Sequence, residues 1–434
     1  MKGYIARLVT VEEGEWRATL LAFVFFFFVL ASYFILRSIR DAIGVAAGTA
    51  NLPWLFTGTL LATLAANPLF GKIVSRLPVR RFIPIVYRIF GALLLGFAAA
   101  LTWFSPTYDW LLSPAFWIWT SVFSLFVPSV FWGFMADTFY SEQGKRLYGF
   151  IGVGGTLGAL AGSSFTAALA TTVGTPVLML TSIVLLELAV QVVQRFPPSF
   201  RPETREREAE SRSVGGTTFA GITNVLRSPY LLGICLFMLL FTIGTTVLYF
   251  QQAEIVGARY ADRESRTAFL ARIDFFVQLL TIIAQIFISG RVIKWLGVGL
   301  TLAILPAISI IGFALLGMYS SLYLFVAFTV LRRAGNYAFA NPGREVLFSV
   351  IPAEDKYKAK NFIDTFVYRG GDQLGAWGQR LLATAGMSVS MIALLAAPIS
   401  AVWLVVALWL GRRHTVLQKA EGAGARQELQ PVAS

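Results

Sequence analysis

The chain has 434 residues, of which 56% are hydrophobic and only 14% are charged, and its formal net charge is +13. An ordinary soluble domain of this length is not so apolar, so the composition excludes a soluble protein and indicates an integral membrane protein. The single cysteine, Cys235, and the single histidine, His414, exclude an intramolecular disulfide and argue against a metal cluster. We therefore expect no metal and no cofactor.

Apolar runs long enough to cross a bilayer recur along the chain. These runs, numbered spans 1 to 12, cover residues 18–36, 52–71, 82–104, 113–136, 147–171, 176–194, 229–251, 268–289, 298–318, 322–341, 361–383 and 387–410. Arg37 and Arg40 follow span 1 in place of a small-residue cleavage site, so we expect this span to be retained rather than removed as a signal peptide. The prediction is an all-α membrane protein with twelve transmembrane helices.

Lysine and arginine are distributed unevenly between the two sides of this predicted bundle. The tails and the loops on their side hold 25 of these residues, whereas the loops on the opposite side hold five. Basic loops favour the cytoplasmic side, so we expect both termini in the cytoplasm and a multi-pass protein of the inner (cytoplasmic) membrane. Most of the positive charge then reflects topology, and no nucleic-acid partner is expected.

Two internal sequence repeats predict that the chain consists of two related halves. Short turns rich in glycine and basic residues follow both span 2 and span 8. The sequence GGTLGALAG (154–162) in span 5 and the sequence GGDQLGAWG (370–378) in span 11 share a similar pattern of residues. The glycines of the first of these strings have the spacing of a close helix contact. The predicted divisions are an N-terminal six-helix half (1–194), a cytoplasmic linker (195–228), a C-terminal six-helix half (229–410) and a cytoplasmic tail (411–434).

Ionisable side chains lie inside several spans, although inserting each one costs about 3 kcal/mol. Six arginines and four carboxylates within the spans leave two positive charges, which need water or an anionic ligand, and the arginine fork suits phosphate or carboxylate. The strongest candidates are Arg332 and Arg333, whereas Arg369 and Asp372 could also pair with each other. The predicted substrate-binding residues are Arg37, Arg40, Asp41, Arg88, Arg272, Asp274, Arg332, Arg333, Asn336, Tyr337, Asn341, Asp364, Tyr368, Arg369 and Asp372.

Three segments resemble the ATP/ADP translocase family of nucleotide transporters. They are YFILRSIRD (33–41), FWGFMADTFYSEQGKRLYGFIGVGG (131–155) and NPGREVLFSVIPAEDKYKAKNFIDTFVYRGGDQLGAW (341–377). The likeness spans most of the chain and is closer to the family's shorter relatives from free-living bacteria. It implies a twelve-helix, major-facilitator-like fold that exchanges nucleotides without metal chemistry of its own. Residues matching charged positions of the family pattern are Arg37, Arg40, Asp41, Lys145 and Arg146.

We interpret the chain as a secondary transporter, not an enzyme, that exchanges nucleotides or related phosphorylated anions by alternating access. The expected partners are this small anionic substrate and membrane lipids, with no obligate protein partner. Two alternatives remain open. One is a proton-coupled exporter of amphipathic compounds or lipids, in which Asp274, Asp364 or Asp372 would titrate. The other is a membrane scaffold or sensor that transports nothing.

Overall fold

The structure is a computed structural model of the chain. It describes residues 12, 15–74, 79–104, 107–139, 141–197, 225, 228–351, 359–360 and 362–428, without the side chains of some residues near helix ends. Every regular element in these ranges is helical, which confirms the all-α prediction. Eight of the helices are long and apolar enough to cross a membrane.

Four helices lie in the described part of residues 1–194. They are α1 (Trp16–Val74), α2 (Val79–Trp103), α3 (Asp109–Thr138) and α4 (Ser141–Gln194). The second part of the chain contains more and shorter helices. They are α5 (Pro229–Arg259), α6 (Arg263–Ala284), α7 (Gly290–Met318), α8 (Leu322–Gly335), α9 (Asn341–Leu347), α10 (Tyr368–Thr384) and α11 (Val389–Glu428).

Short segments of other helical types interrupt the second part of the chain. A 3₁₀ turn, Phe348–Val350, follows α9. Three five-residue segments are π-helical, namely Gln285–Ser289, Asn336–Ala340 and Ile363–Val367. Such π-helical insertions are rare and frequently occur at functional sites. Two of these segments contain predicted substrate-binding residues.

Three of the long helices each contain one glycine with a non-helical backbone. Gly48 in α1, Gly174 in α4 and Gly297 in α7 have φ values of 72°, 75° and 72° with ψ values of 165°, 169° and 175°. Essentially only glycine adopts this combination of angles. Each of these helices therefore consists of two segments that meet at a glycine.

Packing divides the described residues into two compact units. Unit 1 contains those within 1–211 together with 256–278, and unit 2 contains those within 212–255 together with 279–434. Packing thus groups the end of α5 and the start of α6 with the N-terminal helices. The two halves and their bounds, as read from the sequence, remain predictions, and most of the predicted linker lies outside the described residues.

In unit 1, the glycines of α4 form a close contact with α1. A Cβ atom added at Gly154, Gly158 or Gly162 would overlap a carbonyl oxygen of α1, at Phe23, Phe27 and Ala31 respectively. Glycine at every fourth position removes the side chains that would hold two helices apart. The first part of α1 and the first part of α4 therefore pack backbone against backbone.

Unit 2 contains a corresponding contact between α10 and α5. A Cβ atom at Gly371 would overlap the side chain of Thr242, and one at Gly375 would come 2.8 Å from the Cβ of Thr246. The glycines lie four residues apart and so do the threonines, so the two helices keep one register along the contact. This register positions the polar face of α10.

Candidate functional site

Arg332, near the end of α8, is enclosed by other helices of unit 2 although its side chain is charged. It is only 2% exposed. Its guanidinium donates to the Ser309 hydroxyl at 3.1 Å, the Thr245 hydroxyl at 3.0 Å and the Phe241 carbonyl oxygen at 3.1 Å. It also lies over the Phe241 ring at 5.4 Å and over the Trp403 ring at 6.0 Å. All of these partners are neutral.

Arg333 follows directly in the sequence but has a different environment. It is half-buried, as are Asn336, Tyr337 and Asn341, which follow it at helical spacing. Asn336 and Tyr337 open the π-helical segment Asn336–Ala340. Because successive helical residues point about 100° apart, Arg332 and Arg333 cannot share one environment. Four predicted substrate-binding residues therefore lie together along one stretch of half-buried helix.

The polar face of α10 contains a local ion pair. Arg369 lies 3.4 Å from the carboxylate of Asp372, one helical turn away, and its guanidinium lies 5.9 Å from the centre of the Tyr368 ring. Tyr368 in turn packs against Phe241 of α5, with ring centres 6.4 Å apart. The pairing of Arg369 with Asp372, which the sequence left open, is present in the structure. A charge-assisted hydrogen bond is ordinarily about 2.7–2.9 Å long, so this contact is loose.

Asp364 lies in the π-helical segment that precedes α10, and it faces a basic residue from α9. Its carboxylate is 3.5 Å from the guanidinium of Arg344, which also lies 3.0 Å from the sulfur of Met238. Arg344 lies between predicted spans 10 and 11, in a segment that the predicted topology makes a cytoplasmic loop, so this contact was not expected. Its partner is 20 residues distant along the chain, so no helical spacing could have indicated it.

A second group of charged residues lies in unit 1, where α1 meets the middle of α6. Arg37 lies 3.7 Å from a carboxylate oxygen of Asp41 and 3.8 Å from one of Asp274. Arg40 binds Asp41 at 2.6 Å and lies 5.6 Å from the centre of the Trp117 ring. Two arginines and two buried carboxylates therefore come together, and their charges balance.

The other predicted residues of unit 1 lie apart from that group. Arg88 forms a two-bond ion pair with Glu187, at 2.9 Å and 3.1 Å, and both side chains are about half exposed. Arg272 is exposed although it is only two residues from the buried Asp274. Of the positions that the resemblance added, Arg146 pairs with Glu12 and Glu15 at 3.1 Å each, and the side chain of Lys145 lies outside the described residues.

One buried polar side chain on α10, that of Gln379, was not predicted from the sequence as a candidate site residue. Gln379 is 3% exposed, and neither atom of its carboxamide has a hydrogen-bond partner among the described residues. The signal that could have found it is its spacing, because it follows Asp372 by seven residues and therefore extends the same helix face.

Comparisons with known proteins agree on the kind of protein. The family model described as TLC ATP/ADP transporter matches residues 97–418. The chain is 21% identical to ADP,ATP carrier protein 1 of Chlamydia pneumoniae, covering 96% of this chain and 95% of the relative. It is 23% identical to ADP,ATP carrier protein 1 of Chlamydia trachomatis serovar D, covering 98% and 93%.

Solved transporter structures share the fold at low sequence identity. The nucleoside transporter NupG matches with a TM-score of 0.61 and 14% identity, over 92% of this chain and 99% of that structure. A D-xylose-proton symporter matches with a TM-score of 0.65 and 14% identity, over 91% and 97%. These likenesses establish a fold of the major facilitator type.

Proposed function

This chain belongs to the TLC ATP/ADP transporter family, and from that premise we propose that it exchanges nucleotides or closely related phosphorylated anions across the inner membrane. The resemblance noted in the sequence is thereby confirmed, and the chain is a multi-pass membrane transporter rather than an enzyme. The relatives do not favour an exporter of amphipathic compounds or lipids.

The observation that carries the proposal is the buried charge of Arg332. Its hydrogen bonds within unit 2 go to neutral oxygens, so each of its three nitrogens donates one bond while its charge is not cancelled. A positive charge within membrane-spanning helices is expensive and marks a pathway for an oppositely charged solute. Arg332 thus supplies a fixed attraction for an anion, whereas half-buried residues make the direct contacts.

The direct contacts are proposed for Arg333 and for the polar face of α10. The loose pair of Arg369 and Asp372 neutralises Arg369 when the site is empty, and phosphate can replace the carboxylate because a guanidinium binds phosphate through two parallel bonds. The charge of Arg332, by contrast, is not cancelled by its neutral hydrogen-bond acceptors, so the unloaded site is unfavourable until an incoming anion takes the place of the departing one. This remaining charge favours exchange over net uptake. The other predicted substrate-binding residues remain predictions.

We also propose that the chain crosses the membrane twelve times, in two six-helix halves, with both termini in the cytoplasm. Support comes from the glycine breaks, since Gly48, Gly174 and Gly297 each fall in a loop predicted between two apolar spans. Further support comes from packing, because glycines of GGTLGALAG contact α1 and glycines of GGDQLGAWG contact α5. The uneven distribution of lysine and arginine supports the proposed orientation.

Exchange in proteoliposomes tests the proposal. Uptake of labelled ATP should require unlabelled nucleotide or phosphate inside, and Arg333→Gln should reduce it at least about tenfold, as expected for the loss of one charge-assisted contact. Arg259→Gln is a matched control on an exposed position at the end of α5 and should leave uptake unchanged. Uptake that needs no internal substrate and collapses with a protonophore would contradict exchange.

A further inference from the structure

Several buried polar atoms of unit 2 have no hydrogen-bond partner among the described residues. Gln379 is notable because both the oxygen and the nitrogen of its carboxamide are buried and unpaired in this way. Most buried polar groups are hydrogen-bonded, because each unpaired group costs about 1–3 kcal/mol. A side chain that retains one unpaired acceptor and one unpaired donor is expected to meet a ligand that supplies both partners.

The position of Gln379 relates it to the proposed anion site. It follows Asp372 by seven residues on one uninterrupted helix, so the two lie about 20° apart around the axis and about 10 Å apart along it. Tyr368 lies on the same arc. The polar face of α10 therefore has a charged end at Arg369 and Asp372 and a neutral, amide-bearing end at Gln379.

A third unpaired polar atom lies beside this neutral end. The hydroxyl of Thr246 on α5 is buried without a hydrogen-bond partner in the described part of the chain, and Thr246 contacts Gly375, one helical turn before Gln379. Gly371 lies against Thr242, and Gly375 lies against Thr246 four residues further along both helices. One more step of four residues in the same register places Phe250 level with Gln379. A fully buried aromatic residue is therefore expected on α5 at the level of Gln379.

We propose that Gln379 contacts the nucleobase of the substrate and determines base specificity, while the charged end of α10 holds the phosphates. A carboxamide offers adjacent donor and acceptor groups, the arrangement by which asparagine and glutamine pair with adenine. It carries no charge and does not compete for the phosphates. The separation of about 10 Å along α10 suits a ligand whose base and terminal phosphate are held apart. This inference rests on the proposed function, since it assumes a nucleotide substrate.

Exchange kinetics with ATP, GTP and inorganic tripolyphosphate test this role. In Gln379→Leu, the KM of the preferred nucleotide should rise about tenfold, whereas inhibition by tripolyphosphate should not change, because that ion has no base. Gln379→Glu keeps the acceptor and loses the donor, so it should change the ratio of ATP to GTP. Gln373→Leu alters a half-buried glutamine of the same helix off this arc and should leave that ratio unchanged.

The outcomes separate this inference from the proposed function. If the wild-type protein exchanges nucleotides but Gln379→Leu preserves both the KM and the ATP to GTP ratio, Gln379 has no role in base recognition. A rise in Tm of that variant with unchanged kinetics would assign the residue to packing alone. If the wild-type protein exchanges tripolyphosphate and no nucleotide, the nucleotide substrate of the proposed function fails instead, whatever the effect of Gln379→Leu.

Discussion

Arg332 keeps its charge in a buried position because its neighbours present lone pairs to it. The Ser309 hydroxyl donates its hydrogen to the Leu305 carbonyl at 2.9 Å, and the Thr245 hydroxyl donates to the Phe241 carbonyl at 2.9 Å. Both oxygens are thereby oriented to accept from the guanidinium. Removing the arginine would consequently leave neither of these hydroxyl donors unpaired. Its loss should therefore remove the positive charge from the proposed site with little change in the free energy of unfolding.

The substitution Arg332→Met tests that separation. Methionine has a similar length and no charge, so the free energy of unfolding should change by no more than about 1 kcal/mol, because the cost of burying a charge disappears together with its bonds. Nucleotide exchange should be lost. Arg332→Lys retains the charge without the planar fork and should keep part of the exchange. Tm and exchange in proteoliposomes measure both effects, and full exchange by the methionine variant would remove Arg332 from the mechanism.

Residues close together in the sequence were the ones whose contacts could be predicted. Arg369 and Asp372 are three residues apart, and helical spacing alone indicated their pair. The acceptors of Arg332 are 23, 87 and 91 residues away, so a helical wheel gives the direction of the side chain but not its partners. Membrane insertion and the all-α fold were accessible from hydropathy, because lipid leaves the backbone few alternatives.

At the scale of the elements, the contact between α1 and α4 depends on glycine. The carbonyl oxygens of Phe23, Phe27 and Ala31 occupy the space that side chains on α4 would need. Backbone atoms cannot move aside as a flexible side chain can, so the contact tolerates little change. The spacing of these glycines predicted a packing role, and the structure supplies the partner helix.

The substitution Gly158→Ala should therefore separate α1 from α4. The added methyl group would overlap the backbone of Phe27, and the resulting overpacking should cost about 1–3 kcal/mol. Gly152→Ala is the matched control, because it lies on the same helix and a methyl group there meets nothing within 4 Å. Thermal unfolding in detergent should show a lowered Tm only for Gly158→Ala, and equal Tm values would contradict the close contact.

At the scale of the whole molecule, a segment from the second part of the sequence packs with the first helices. Arg263 binds Asp109 at 2.8 Å and Ser113 at 3.3 Å, and Glu264 accepts a hydrogen bond from Thr175 at 3.3 Å. These contacts all belong to unit 1, and nothing in the local sequence of α6 indicated them. In an alternating-access transporter of the proposed topology, they would lie on the outer side and would have to break when that side opens.

Neutralising this contact should make the outer side easier to open. In a variant with Cys235→Ser and Ser113→Cys, a membrane-impermeant maleimide should label position 113 slowly from outside. Adding Asp109→Asn should accelerate labelling about fivefold, since a partly exposed ion pair is worth up to roughly 1 kcal/mol. Glu12→Gln, on the far side of the proposed membrane, should have no effect. Equal labelling rates with and without Asp109→Asn would show that the pair does not hold the outer side closed.

The π-helical segment Ile363–Val367 has a consequence for how this chain can vary in length. A π-helical turn is equivalent to one inserted residue in an α-helix. Because the wide turn already takes up one extra residue, deleting one residue there would restore a regular α-helix and leave the downstream residues on their present faces. Gly371 and Gly375 would then stay against α5, and Asp372 and Gln379 would keep the face they share. The segment can therefore absorb a loss of one residue, and an in-frame deletion of a single codon should be less damaging there than within α10, where it would rotate the rest of the helix by about 100°.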